Sequence, residues 1–316
     1  MKMAKIRFLE KGEQPMLSKG ANLLPKAAKK KYIEACKPYR LTAERDMLTA
    51  ILQTDGETGM TQVWRKNAVR LLEQLKKDGI EIVIPPIQGE LPREILPFAE
   101  GRRLANLFAF EGAVEALRRQ GKHPEKCRYL LVGGSEDAWR VALTSMGNEV
   151  NHLSIFTPDP NGAKELTQEL FEEWGLMTEI FSSPKNPVFS QADVVFCCGM
   201  ELRAYEHMLG RGAVWIDLVG NRPALQRLRE HRPDVSVMDG FFFKTEGIQM
   251  EGRFAEAEAY LSCPIFRENW QFPLERAARK EMLCELGEKG YMVSGFSVQE
   301  KRVKIKKNQG FSARND

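Results

Sequence analysis

The chain has 316 residues, 43% of them hydrophobic and 28% charged, which is enough apolar material for two folded domains of ordinary size. No apolar run approaches the roughly 18 residues of a membrane helix, and the N-terminus "MKMAKIRFLEKGEQP" is too charged for a signal peptide, so a cytoplasmic protein without a membrane partner is expected. The 47 basic and 43 acidic side chains leave a formal charge of +4; the basic runs "PKAAKKKYIEACK" and "EKRVKIKKNQGFSARND" carry no interleaved aromatic platform, so they read as solvated surface and nucleic acid is not expected as a partner.

The first 125 residues predict a smaller α/β domain on the substrate or interaction side. Its strands are "DMLTAILQT" and "IEIVIPP", with the amphipathic helix "MTQVWRKNAVRLLEQLKKDG" between them, stopped at Gly79. "RRLANLF" is expected to add a third strand, and "EGAVEALRRQGKHPEKC" a helix leading onward and ending at Gly121. The first 40 residues show no assignable pattern.

From 126 to 240 the chain alternates short apolar runs with amphipathic stretches, the pattern of a doubly wound, Rossmann-type parallel sheet covered by helices. Strands are expected at "CRYLLVG", "VNHLSIF", "MTEIFSS", "DVVFCC", "AVWIDLV" and "VSVMDG". Helices fall near Glu136 to Met146, Ala163 to Trp174, Glu201 to Leu209 and Pro223 to Glu230. Leu130 to Val132 should lie in a central strand, being apolar on both faces. The connection "PKNPVFSQA" has room only for a turn or a short helix.

After Gly240 the alternation breaks down, leaving 241–316 as C-terminal helices and a basic tail. "EGRFAEAEAYLSC" and "PLERAARKEMLCELGEKG" are the helices, expected to pack back toward the first domain, and the last 25 residues suggest a hairpin with a frayed end.

The chemistry centres on "RYLLVGGSEDAWRVALTSMG", a strand, a glycine turn and a helix. In a dinucleotide-binding turn the first glycine permits the turn, the second lets the pyrophosphate approach and the third lets the helix pack on the strand. Those places hold Gly133, Ser135 and Ala138, with Gly134 between the first two. The Ser135 hydroxyl can donate to a phosphate, whereas Glu136 and Asp137 in the first helical turn oppose one. At the end of the next strand Thr157 stands where an acid would bind the ribose of NAD. NADP is therefore the expected cofactor if one binds, with Lys164 the nearest cation.

The carboxyl ends of the later strands add Cys198, Gly199 and Met200, then Val219 to Asn221, then Asp239 and Gly240, ringing one cleft. Asp217 inside the fifth strand is placed to accept from loop amides. Lys244, Glu246 and Asp239 are the acid and base candidates, and a solvated loop explains "DGFFFKTEG" equally well. The cysteines at 36, 127, 197, 198, 263 and 284 have neither the spacing nor the histidines of a metal site, so no metal is expected. Cys197 and Cys198 read as small hydrophobes ending a buried strand.

"ADVVFCCGM" with "GAVWIDLVGNRPAL", and "EIVIPP" with "GRRLANLFAFEGAVEAL", resemble the shikimate dehydrogenase type of two-domain Rossmann protein. Methylenetetrahydrofolate dehydrogenases, whose phosphate turn also carries a serine, share the plan. The likeness runs from Glu81 to Asp239 and implies a two-domain NAD(P)-dependent enzyme. The catalytic pair of the shikimate enzymes is not matched: Pro86, Ile87 and Gln88 stand at the lysine's place, and Asn106 followed by "LFAF" at the aspartate's. Tyr32 and Lys37 do not give the folate enzymes' Tyr-x-x-x-Lys spacing. Two expectations remain open. One is an NAD(P)-type oxidoreductase acting on a small keto, hydroxy or amino acid, in a chain that also allows a homodimer. The other is a Rossmann-derived binding or assembly protein that has lost its cofactor.

Overall fold

The computed structural model describes residues 2–9, 39–44, 47–52, 62–86, 91–134, 136–143, 146, 150–158, 160–183, 187–199, 205–270, 276–298 and 301–305. Two compact units emerge: Met1–Glu100 with Glu256–Pro264, and Gly101–Ala255 with Ile265–Asp316.

In the first unit, β1 (Met3–Phe8), β3 (Met47–Leu52) and β4 (Ile82–Ile84) run parallel, and β2 (Tyr39–Glu44) pairs antiparallel with β3, giving the order β2-β3-β1-β4. The helix α1 (Gln62–Lys77) contributes Ala68, Leu71, Leu72 and Leu75 to the core. That i, i+3, i+4, i+7 stripe meets Ala4 and Ile6 of β1, Ala50 and Leu52 of β3 and Val83 of β4. Gly79, at φ 80°, ends the helix in the left-handed conformation a side chain disfavours. The Glu100 amide donates to the buried Glu256 carboxylate at 2.9 Å, which fixes the later segment in this unit.

The second unit opens with α2 (Arg102–Leu107) and α3 (Ala109–Arg119). "RRLANLF" is thus a helix, not the expected strand. Gly101 turns the chain at φ 81°, and Leu104, Leu107 and Phe108 are buried at helical rather than alternating spacing.

Six parallel strands follow, β5 (Arg128–Val132), β6 (His152–Phe156), β7 (Thr178–Phe181), β8 (Val194–Cys197), β9 (Val214–Asp217) and β10 (Ser236–Met238). Their order is β10-β9-β8-β5-β6-β7. Numbered from the first, this is the doubly wound order 3-2-1-4-5-6, whose direction of winding reverses between β5 and β8. β5 is central and fully buried after Arg128, as its apolar run requires.

The connecting helices are α4 (Glu136–Leu143), α5 (Pro160–Trp174), the four-residue α6 (Val188–Gln191) and α7 (Arg222–His231). One sheet face, with Leu130, Val132, Val195, Cys197, Trp215 and Val237, packs against Phe189 of α6 and Ala224, Leu225 and Leu228 of α7. On the other, Phe110 of α3 lies against Tyr129, which stacks on Phe196. The helix expected over Glu201 to Leu209 is a single 3-10 turn at Glu206–Met208 within the described residues.

Beyond β10 the strand pattern resumes at once, contrary to the sequence reading, whereas the antiparallel pair within the last 25 residues is the hairpin expected there. β11 (Gly240–Thr245) and β12 (Ile248–Glu251) form a hairpin, and β13 (Met292–Val298) and β14 (Lys301–Val303) complete an antiparallel sheet of order β12-β11-β13-β14. Phe241, Phe243 and Thr245 alternate inward. Glu246 and Gly247 turn the hairpin at φ 47° and 85°, the positive pair a two-residue type I′ turn demands. The helices α8 (Gly252–Ser262), α9 (Pro264–Glu268) and α10 (Arg276–Glu288) lie between β12 and β13. Among the described residues, no helix is long and apolar enough to cross a membrane.

Candidate functional site

The carboxyl ends of β5 and β8 meet at the point where the winding reverses, the place at which open α/β sheets form a ligand crevice. Gly133 and Gly134 leave β5 at φ 65° and 85°, and α4 starts two residues later. The ladder continues into both turns, since the Gly133 amide donates to Phe156 O at 2.8 Å and the Cys198 amide to Val132 O at 2.9 Å. Ser135 lies outside the described residues, as do Asp159 and Met200, and the side chain of Ala138 is likewise undescribed.

Two contacts shape the turn. The buried indole of Trp139 donates its N–H to the Gly133 carbonyl at 2.5 Å. Gly134 packs directly on the loop after β8, so close that a Cβ there would overlap the Cys198 carbonyl, and a Cβ on Gly199 would lie 3.1 Å from Gly134 Cα. Both positions are therefore glycine for lack of room as well as for backbone angle. Cys198 is buried, and desolvation, with the neighbouring Cys197 and Asp217 adding to it, pushes its thiol well above the usual range. It stands at the crevice as a neutral, packed thiol rather than a nucleophile.

Thr157 follows β6, its amide donating to Phe181 O at 2.9 Å, and it is only 1% exposed. Lys164 is exposed in α5 and bonds Asn161 Oδ1 at 3.2 Å.

The loop after β9 is held from below by Asp217. Its carboxylate, 4% exposed, accepts from the Val219 amide at 3.1 Å and the Asn221 amide at 2.8 Å. Burial raises its pKa above the ordinary 3.8, while the bonds from the Val219 and Asn221 amides, the charge of Arg102 and the Gly220 amide pull against that rise. The Asn221 side chain caps α7 by accepting from the Ala224 amide at 3.2 Å. Asn106 of α2 donates to Leu218 O at 3.4 Å. Val219 presents an apolar side chain, 41% exposed, on the surface of this loop.

The acid and base candidates are not brought together. Asp239 is half-buried just past β10, its amide bonded to Ser297 O at 3.1 Å. Lys244 is exposed near the far end of β11, opposite Gln249 and Met292. Five residues of extended chain separate the two, about 17 Å at the ordinary rise of a strand. Glu246 occupies the hairpin turn.

The sequence reading did not single out Trp139 or Arg102. A tryptophan just inside the helix that follows a glycine turn is itself a signal, because a buried indole N–H needs an acceptor close by. Arg102 gave none, since its partner loop is more than 100 residues away.

No protein-family profile matches the chain, and no curated protein is similar to it. Solved structures similar to it include the iminosuccinate reductase of Paracoccus denitrificans in complex with NAD+, at 16% identity over 37% of this chain and 35% of that one, TM-score 0.28. The match thus spans about a third of that reductase's length. L-tryptophan dehydrogenase from Nostoc punctiforme matches at 13% identity over 91% of this chain and 78% of that one, TM-score 0.37. Shikimate dehydrogenase from Aquifex aeolicus matches at 10% identity over 89% and 97%, TM-score 0.36. Identities and TM-scores this low transfer neither activity nor cofactor to this chain.

Proposed function

We propose that the chain is an NAD(P)-type oxidoreductase that takes a nicotinamide dinucleotide across the carboxyl ends of the six-stranded sheet and acts on a small keto, hydroxy or amino acid. One observation carries this reading: the switch point of a 3-2-1-4-5-6 sheet coincides with a Gly133–Gly134 turn at positive φ that leads straight into α4. The bare backbone of such a turn fits a pyrophosphate. Gly133, Gly134, Ser135 and Ala138 would hold it, with Gly199 and Val219 along the crevice. Bound there, the cofactor would supply hydride chemistry to the substrate. Thr157 is itself buried, so what it contributes is the lack of an acid: no carboxylate stands there to repel the extra phosphate of the phosphorylated cofactor.

A second reading rests on its own observation. Trp139 satisfies the Gly133 carbonyl, and Gly134 is sealed against Cys198, so the turn is complete without a ligand. On that reading the chain is a Rossmann-derived binding or assembly protein and the turn only redirects the backbone.

Titration of the protein with NADPH and with NADH, followed by energy transfer from protein tryptophan to the reduced nicotinamide, separates the two. The oxidoreductase reading expects saturable binding with NADPH the tighter ligand. Equal affinities or a preference for NADH would remove the phosphate preference. No binding of either at millimolar concentration would leave the second reading standing.

A further inference from the structure

We propose that Arg102 is the anchor for the carboxylate of the small acid that the oxidoreductase reading gives as substrate, which places that carboxylate beside the loop after β9. Arg102 is the first residue of α2, and its side chain is exposed. The guanidinium lies against Gly220, in the loop that leaves β9 one strand from the switch point. A side chain at Gly220 would overlap the guanidinium, and Gly220 sits at φ 80°, so the loop conformation and the space for the arginine depend on the same glycine.

The surroundings hold this arrangement, and the described residues leave the cation's donors open. Asp217 fixes the loop through the amides of Val219 and Asn221, which occupy its two oxygens, and Asn106 reaches Leu218 O from the same helix that carries Arg102. Asp217 feels the charge of Arg102, yet the two form no ion pair, and among the described residues Arg102 makes no hydrogen bond or salt bridge. A structural arginine would spend its donors on the protein. This one presents a planar fork at the carboxyl end of a parallel sheet, where α/β proteins place their ligands, and a carboxylate matches that fork with two parallel N–H···O bonds. Val219, exposed on the same loop, offers an apolar contact for the rest of a small acid.

The inference rests on the reading of the sheet's carboxyl end as the ligand end, and its test is separable from the dinucleotide test. Oxalate serves as the probe, titrated calorimetrically into wild type, Arg102→Met and Arg102→Lys, with NADPH binding and thermal unfolding recorded for each. Wild type is expected to bind oxalate saturably, Arg102→Lys several times more weakly, and Arg102→Met by about tenfold or more, the effect of losing a charged bidentate contact. NADPH binding should be unchanged in both variants. Oxalate affinity equal in wild type and Arg102→Met, or no oxalate binding by wild type, overturns the inference whatever NADPH does. A fall in thermal stability of Arg102→Met without a fall in oxalate affinity overturns it too, because that is what a purely structural arginine gives. Arg102-dependent oxalate binding in a protein that ignores dinucleotides upholds the anchor and sinks the oxidoreductase reading instead.

Discussion

Trp139 and Asp217 show how single side chains hold the two turns that frame the crevice. The indole N–H to the Gly133 carbonyl is buried, so Trp139→Phe leaves that carbonyl without its donor and removes part of a packed ring. Loss of about 1–3 kcal/mol of unfolding free energy in denaturant titration is expected; a variant as stable as wild type would mean the turn needs no such support. Asp217 behaves differently, because burial holds its folded pKa above the ordinary 3.8. Between the two pKa values the folded state keeps a proton that the unfolded chain has lost. Stability owed to this residue therefore falls as pH rises from 3.8 through the folded value. The difference in unfolding free energy between wild type and Asp217→Asn should shift against wild type across that window. A shift in wild type's favour would show that the loop amides outweigh burial. At this scale the sequence revealed the glycines, whose spacing after an apolar strand is a local signal, and the loop role of Asp217. It did not reveal that Thr157 is buried, nor the reach of Arg102 to Gly220, because burial and pairing across 100 residues leave no local trace.

Among the elements, the six parallel strands and α1 were legible because continuous apolar runs and a 3.6-residue stripe each fit one structure. "RRLANLF" was not, since six residues give too few turns to tell alternation from a helical stripe. The β11–β12 hairpin was hidden by its turn, where glutamate rather than asparagine precedes glycine at positive φ. The helix α3 offers a test of how tightly these elements fit. Gly112 faces Phe241 of β11, and a Cβ there would overlap the phenyl ring, which is fully buried. Gly112→Ala should cost about 1–3 kcal/mol by overpacking, although alanine is the better helix former. A gain in stability, read by thermal unfolding, would mean that α3 and β11 can move apart freely.

At the scale of the whole molecule, the central claim is that the carboxyl end of the second unit's sheet is the ligand end, with the glycine turn at its switch point. The arrangement of strands followed from the sequence through the apolar runs and their connections. Whether the turn takes a phosphate did not, because the sequence sets two acids, Glu136 and Asp137, at a helix start, where backbone amides invite an anion and carboxylates disfavour one. NADPH titration of wild type, Gly133→Val and the double variant Glu136→Gln with Asp137→Asn addresses this directly. Each carboxylate at a helix start is worth about 0.3–1 kcal/mol against a bound anion. The double variant is therefore expected to bind NADPH severalfold more tightly than wild type, and Gly133→Val, with a β-branched residue at φ 65°, not at all. Absence of NADPH binding at millimolar concentration in all three proteins would contradict the claim and leave the turn as a change of direction in the chain.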